Sequence, residues 1–219
     1  MLAHSCTVVL FHGYGGSKSS MLDKSNIFLQ LGFSAVLVDF MGSGGSEGNQ
    51  TTIGFHEAAQ VNTVMEYLKN AGEDSIILFG TSMGAVSVMK AIHDYHIQPA
   101  AIILECPFGS MYETVGARFK NMNVPKFPMA PLLVFWGGAQ NGFGHNPARY
   151  ASRINSPTLL MYGEKDKKVS RSEIDIIYNN LCGLKQLSTY PDAGHENYLL
   201  KYELEWKNDV VRFLDSVKK

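Results

Sequence analysis

The stretch Ser75-Ile76-Ile77-Leu78-Phe79-Gly80-Thr81-Ser82-Met83-Gly84-Ala85 decides the fold. A short apolar, β-favouring run enters a turn bounded by two glycines, and the segment Ala85 to Tyr95 beyond it is compatible with a helix. Runs of the same kind recur at Thr7 to Phe11, Ala35 to Asp39, Ala100 to Leu104, Thr158 to Tyr162 and Lys185 to Tyr190. Near-continuous apolar runs of this length are the mark of strands buried on both faces. Helical periods lie between them. Thr52 to Ala71 places Val61, Val64, Met65 and Leu68 on one face, and Ser170-x-x-Glu173 is a capping box opening a helix through Leu181. The C-terminal segment repeats the period with Leu199, Tyr202, Trp206, Val210, Phe213 and Val217. Strand and helix alternating in this way predict an α/β fold, a mainly parallel sheet of about six strands with helices on both faces.

One region breaks the alternation. From Pro107 to Arg149 the chain carries five of its eight prolines, and Phe127 to Ala148 contains no Asp, Glu, Lys or Arg. The expected organisation is a core of residues 1–106 and 150–219 with a cap insertion at 107–149, because long connections inside a compact domain are usually lids or binding loops. Phe108, Phe127, Phe135 and Trp136 are its candidate substrate-binding residues, lining an apolar pocket; the plainer alternative is an irregular helical excursion that packs only on itself. Prolines and glycines divide the uncharged run into pieces too short to span a bilayer.

Composition narrows the function classes. The 219 residues include 19 basic and 20 acidic side chains, so a net charge of -1 leaves no single-sign field to draw the chain onto nucleic acid or an anionic membrane. With 45% hydrophobic residues the apolar area is ample for one core, and disorder is excluded. Cys6, Cys106 and Cys182 form neither a disulfide framework nor a zinc motif, which fits a reducing compartment, expected to be the cytoplasm. The first residues show no basic region of a signal peptide.

Gly80-Thr81-Ser82-Met83-Gly84 is a GxSxG pattern, and its place between strand and helix is what gives it weight as a nucleophile elbow. A serine hydroxyl needs a general base, and the base needs an orienting acid. Asp166 follows the strand ending at Tyr162, and His195 follows the strand ending at Tyr190. Strand C-termini share one edge of a parallel sheet, so Ser82, Asp166 and His195 converge there as nucleophile, acid and base. Glu105, at the end of Ala100 to Leu104, is the alternative acid. His12-Gly13-Tyr14-Gly15-Gly16 follows the first strand without the Gly-Lys-Ser/Thr ending of a phosphate loop, so it is read as an oxyanion loop. The donors are the backbone N–H groups of Tyr14 and Met83. His12 is read as a hydrogen-bonding loop residue and Cys106 as a small buried hydrophobe beside the site.

The sequence now resembles the α/β-hydrolase superfamily, specifically its lysophospholipase-like and serine-aminopeptidase-like esterases. The resemblance rests on His12-Gly13, the turn Asp39-Phe40-Met41-Gly42-Ser43-Gly44-Gly45-Ser46, Gly80 to Gly84, Gly163-x-x-Asp166-x-x-Val169 and Gly194-His195. It implies hydrolysis of an ester, thioester or amide without metal or coenzyme, and a cap that shapes substrate choice. Relatives commonly carry arginine where this chain has Met41. The expected activity is a serine esterase acting on small-molecule carboxylic esters with apolar acyl groups, and no cofactor is expected. An aminopeptidase, amidase or thioesterase with the same triad is the second reading. A catalytically silent binding protein on this scaffold is the third, and no triad member is missing to favour it.

Family members usually begin with two further strands before the one ending in His-Gly, and only six residues precede Thr7. The resemblance therefore implies a sheet lacking them, with Ala35 to Asp39 at an exposed edge. That edge carries no lysine or proline in Ala35-Val36-Leu37-Val38 and is expected to be covered by a longer natural chain, by the N-terminal residues or by a second copy in a homodimer.

Overall fold

The computed structural model describes residues 6–121, 125, 127–128, 131–132 and 145–217. Six parallel strands form one sheet: β1 (Cys6–Phe11), β2 (Ser34–Val38), β3 (Ser75–Thr81), β4 (Ala101–Glu105), β5 (Thr158–Gly163) and β6 (Lys185–Tyr190), in the order β2-β1-β3-β4-β5-β6. Each run read from the sequence forms a strand, with ends shifted by at most two residues and Lys185–Tyr190 unshifted. Successive side chains take opposite faces of a strand. Val9, Phe11, Leu78, Ile102 and Leu104 therefore join one core cluster, while Val8, Leu10, Ile77, Phe79 and Ile103 join another.

Helices cover both faces. The first cluster packs against α2 (Glu57–Asn70) and α3 (Met83–Tyr95), with α4 (Met111–Asn121) and α5 (Pro147–Tyr150) contributing Met111, Val115 and Tyr150. It also receives Ile174 and Ile177 of α6 (Arg171–Asn180). The second cluster holds Ile27 and Phe28 of α1 (Leu22–Gln30) and Trp206, Val210 and Phe213 of α8 (Glu203–Val217); the short α7 (Tyr198–Lys201) precedes α8. The Ser170 capping box of α6 is present, its hydroxyl and the Glu173 carboxylate reaching each other's backbone N–H groups.

Three segments depart from the sequence reading. The helix expected from Thr52 begins at Glu57, because Glu57 turns back as a buried acceptor. Its carboxylate takes the backbone N–H groups of Thr52 at 2.8 Å and Gly54 at 2.9 Å and the hydroxyls of Thr51 and Thr52 at 2.7 and 2.6 Å. Residues 51–54 are thus folded into a loop with Ile53 and Gly54 at positive φ. The C-terminal period divides at Tyr202 into α7 and α8. The third departure is α4, an ordered helix of 11 residues inside the region without evident rhythm.

β2 stands at one edge of the sheet, its residues exposed or half-buried. Among the described residues no helix is long and apolar enough to cross a membrane.

Candidate active site

The turn after β3 is built around Ser82. Its backbone sits at φ 52°, ψ -111°, a conformation that costs an L-residue on the order of 1–3 kcal/mol and persists only where the surroundings enforce it. They do so from both sides. The Ser82 N–H donates to the Glu105 carbonyl at 2.8 Å, and the Ser82 carbonyl accepts from Val86 N–H at 3.0 Å to start α3. The flanking glycines are steric necessities: a Cβ on Gly80 would lie 2.5 Å from Ala85 N, and one on Gly84 would lie 2.4 Å from the Phe11 carbonyl oxygen. That second contact packs the end of β1 under the elbow and brings the His12–Gly16 loop beside Ser82.

Two further loops meet there. After β5 and β6 the chain is cross-tied by Glu164 N–H to Tyr190 O at 3.0 Å and Lys165 N–H to Ala193 O at 2.9 Å. These bonds hold Asp166 against His195. Asp166 Oδ2 lies 2.7 Å from His195 Nδ1, and its Oδ1 accepts the N–H groups of Lys168 at 2.7 Å and Val169 at 3.0 Å. His195 Nε2 lies 3.0 Å from Ser82 Oγ. In the neutral ring, a carboxylate on Nδ1 keeps the proton on that nitrogen, which leaves the Nε2 lone pair facing the hydroxyl.

Burial works against an imidazolium at His195, but the neighbouring Cys106 side chain and the hydrogen-bonded Asp166 carboxylate outweigh it and hold its pKa up, at about 10. Cys106 is thus part of the site rather than only a neighbour in sequence. Its Sγ, a carboxylate oxygen of Asp166 and a ring nitrogen of His195 all lie within 4.8 Å of one another. Among the described residues this is the one cluster with the donor types of a metal site, and its Asp and His are already bonded to each other.

Glu105, the alternative acid, faces elsewhere. Its carboxylate accepts Trp206 Nε1–H at 2.7 Å and Thr81 Oγ–H at 3.0 Å and pairs with Lys24 Nζ at 3.1 Å, with all three charged or indole groups buried. His12 stays in its loop: Nε2 accepts Phe40 N–H at 3.2 Å, so Nδ1 carries the proton given to the Gly13 carbonyl at 2.8 Å. Asp39 organises the turn after β2 by accepting the N–H groups of Lys18 at 2.6 Å and Gly45 at 3.0 Å. Despite its burial, these bonds and Lys18 hold its pKa down at about 2. Met41 is exposed, and its N–H donates to Gln60 Oε1 at 2.8 Å.

A pocket of about 360 Å³ opens on Ser82, Cys106 and His195. Gly13 and Tyr14 line it, which places the expected oxyanion loop on its wall; Met83 is buried at the start of α3. Of the four candidate substrate-binding residues, Phe108 lines the pocket, whereas Phe127 is 78% exposed and is not among the lining residues. Phe135 and Trp136 lie outside the described residues. Among the described residues the remaining apolar wall comes from Met21, Ile53 and Val169, none of which the sequence assigned to the pocket although Val169 closes the Gly163-x-x-Asp166-x-x-Val169 motif. Ile53 is delivered by the Glu57-bound loop and Val169 by the turn that Asp166 closes.

The comparisons with known proteins agree with this architecture. The sequence pattern of the serine aminopeptidase S33 family matches residues 3–140. YqkD of Bacillus subtilis is 26% identical over 218 residues, covering 96% of this chain and 72% of that protein. The lysophosphatidylserine lipase ABHD12 of Danio rerio is 23% identical over 168 residues, 74% of this chain and 44% of that protein. Among solved structures, the Pyrococcus furiosus esterase Pf2001 superposes with a TM-score of 0.80 at 22% identity, covering 98% of this chain and 83% of that one. With six parallel strands, helices on both faces and a family match over more than half its length, the chain belongs to the serine aminopeptidase S33 family of α/β hydrolases.

Proposed function

We propose that this hydrolase cleaves carboxylic esters of apolar acyl groups through an acyl-enzyme on Ser82. The observation that carries the reading is the unbroken chain from Ser82 Oγ to His195 Nε2 at 3.0 Å and from His195 Nδ1 to Asp166 at 2.7 Å, opening on a pocket. In this mechanism His195 accepts the serine proton as Oγ attacks the carbonyl and returns it to the leaving alkoxide. Asp166 keeps the ring oriented and stabilises the imidazolium. The N–H groups of Tyr14 and Met83 face the oxyanion, and water then attacks the acyl-enzyme by the reverse proton path.

Met21, Ile53, Phe108 and Val169 on the pocket wall support an apolar acyl group. The aminopeptidase reading needs a carboxylate free to hold a substrate amine. Glu196 lines the pocket, but its Oε1 accepts Gly194 N–H at 3.0 Å and pairs with Lys201 at 3.1 Å, so a substrate amine would compete with Lys201 for this carboxylate. Residues 107–149 are proposed as the cap: Phe108 and Thr114 lie on the pocket wall. Association through Ala35 to Asp39 has only the exposed edge position of β2 behind it; sedimentation across a concentration series measures it.

A chain-length series of chromogenic esters tests the substrate class. KM should fall from acetate towards medium chains, each buried methylene adding up to about 0.8 kcal/mol until the pocket is full. Equal KM values along the series, or faster cleavage of aminoacyl amides than of any ester, would overturn it.

A further inference from the structure

Cys106 follows β4 as Ser82 follows β3, at the same edge of the sheet. Like Ser82 it has a positive φ, 41° against 52°. Its backbone N–H is fixed to the Met161 carbonyl at 2.9 Å, and the residue is 1% exposed yet lines the pocket. The other two thiols are placed differently. Cys6 lies in β1 and accepts the Ser75 hydroxyl at 3.3 Å, and Cys182 is exposed and donates to backbone carbonyls at 3.4 and 3.5 Å. Among the described residues, Cys106 is the thiol within 4.8 Å of the His195 ring and the Asp166 carboxylate.

We propose that Cys106 is a thiol-modification site, a second nucleophile on the His195–Asp166 pair that takes small disulfides entering the same pocket as the ester. The inference rests on the reading of this pocket as the hydrolytic site. The pair that takes a proton from a serine hydroxyl takes one from a thiol more readily, since sulfur is the more acidic and more polarisable nucleophile. The thiol proton passes to the imidazole, and the thiolate attacks one sulfur of R–S–S–R. The Cys106 S–S bond forms as the R–S–S–R bond breaks, and the departing thiolate takes the proton from the imidazolium. One disulfide is consumed and one is made, so no further oxidant is needed. The attached R group then occupies pocket volume beside His195 and stops hydrolysis until an excess of thiol reverses the exchange.

The experiment uses the full chain carrying Cys182→Ser, treated with bis(2-hydroxyethyl) disulfide and followed by intact mass, peptide mapping and residual ester hydrolysis. Adduct on Cys106 should appear in step with loss of hydrolysis, and dithiothreitol should restore both. Cys106→Ser should make hydrolysis insensitive to the reagent. His195→Gln should slow modification of Cys106 by about tenfold, because less thiolate is generated. Ser82→Ala should retain modification, so the thiol is read out even if Ser82 is not the nucleophile. Prior phosphonylation of Ser82 should protect Cys106 by filling the pocket. Cys106 left unmodified, modified at the same rate in His195→Gln, or modified with full hydrolysis would each overturn the proposal.

Discussion

Glu105 ends β4 and Asp166 stands in the loop after the neighbouring β5; both are buried carboxylates with their acceptor sites filled, yet they face different partners. Asp166 spends one oxygen on the backbone N–H groups of Lys168 and Val169 and offers the other to the imidazole of His195, which borders the pocket. Glu105 is closed off by the Lys24 ammonium, the Trp206 indole and the Thr81 hydroxyl. A carboxylate at a strand end is therefore committed by the cation it faces. Opposite a histidine it meets a ring whose other nitrogen faces Ser82 Oγ; opposite a buried lysine it forms a neutralised pair under the elbow, where Glu105 also supplies the carbonyl that holds Ser82 N–H.

The sharpest way to break this contrast is to neutralise each acid in turn. Asp166→Asn should lower kcat/KM on the preferred ester by about 10³- to 10⁴-fold with little loss of stability, since the amide favours the wrong imidazole tautomer. Glu105→Gln should keep hydrolysis within about tenfold per folded molecule while costing roughly 3–5 kcal/mol in urea unfolding, because Lys24 is left as an uncompensated buried charge. The reverse pattern would make Glu105 the orienting acid.

A double-mutant cycle sharpens the second half. Lys24→Met and Glu105→Leu should each be destabilising by a similar amount because each leaves its partner charge buried and uncompensated, and the Lys24→Met/Glu105→Leu pair should recover most of the combined loss. Strict additivity of the two unfolding free energies would show that the ion pair has no coupling.

Much of this contrast was legible in the sequence and its most informative part was not. The six strands follow from local apolar runs, and Ser82, Asp166 and His195 follow from motif and strand end, signals carried by neighbouring residues. Lys24 carried no such signal. A lysine on a short helix ordinarily keeps its charge in water, and its partner Glu105 is far along the chain, so only the packing of α1 and α8 on the same face of the sheet joins them to Trp206. The loop 51–54 escaped for a related reason: Thr52 to Ala71 has helical period throughout, and the Glu57 side chain overrides it by satisfying the loop's own donors. The approach of Cys106 to His195 depends on two loops crossing the sheet edge, which spacing does not encode.

The smallest expected effect is a shift in a pH profile. A general base acts in its neutral form, so kcat/KM should rise with pH, and a folded-state pKa above the reference value of about 6.5 moves that rise to the alkaline side. Cys106→Ser removes one of the interactions favouring the imidazolium and should move the rise towards lower pH. A profile centred below the reference value would show that the imidazolium is not favoured, and one indifferent to this substitution would show that Cys106 does not act on the base.

Reaction with a fluorophosphonate, followed by peptide mapping of the adduct, tests whether Ser82 is the nucleophile. The native protein should carry a single phosphonyl group on Ser82, formed in step with the loss of ester hydrolysis, and Ser82→Ala should show neither labelling nor turnover. Undiminished labelling or hydrolysis in that variant would contradict the account.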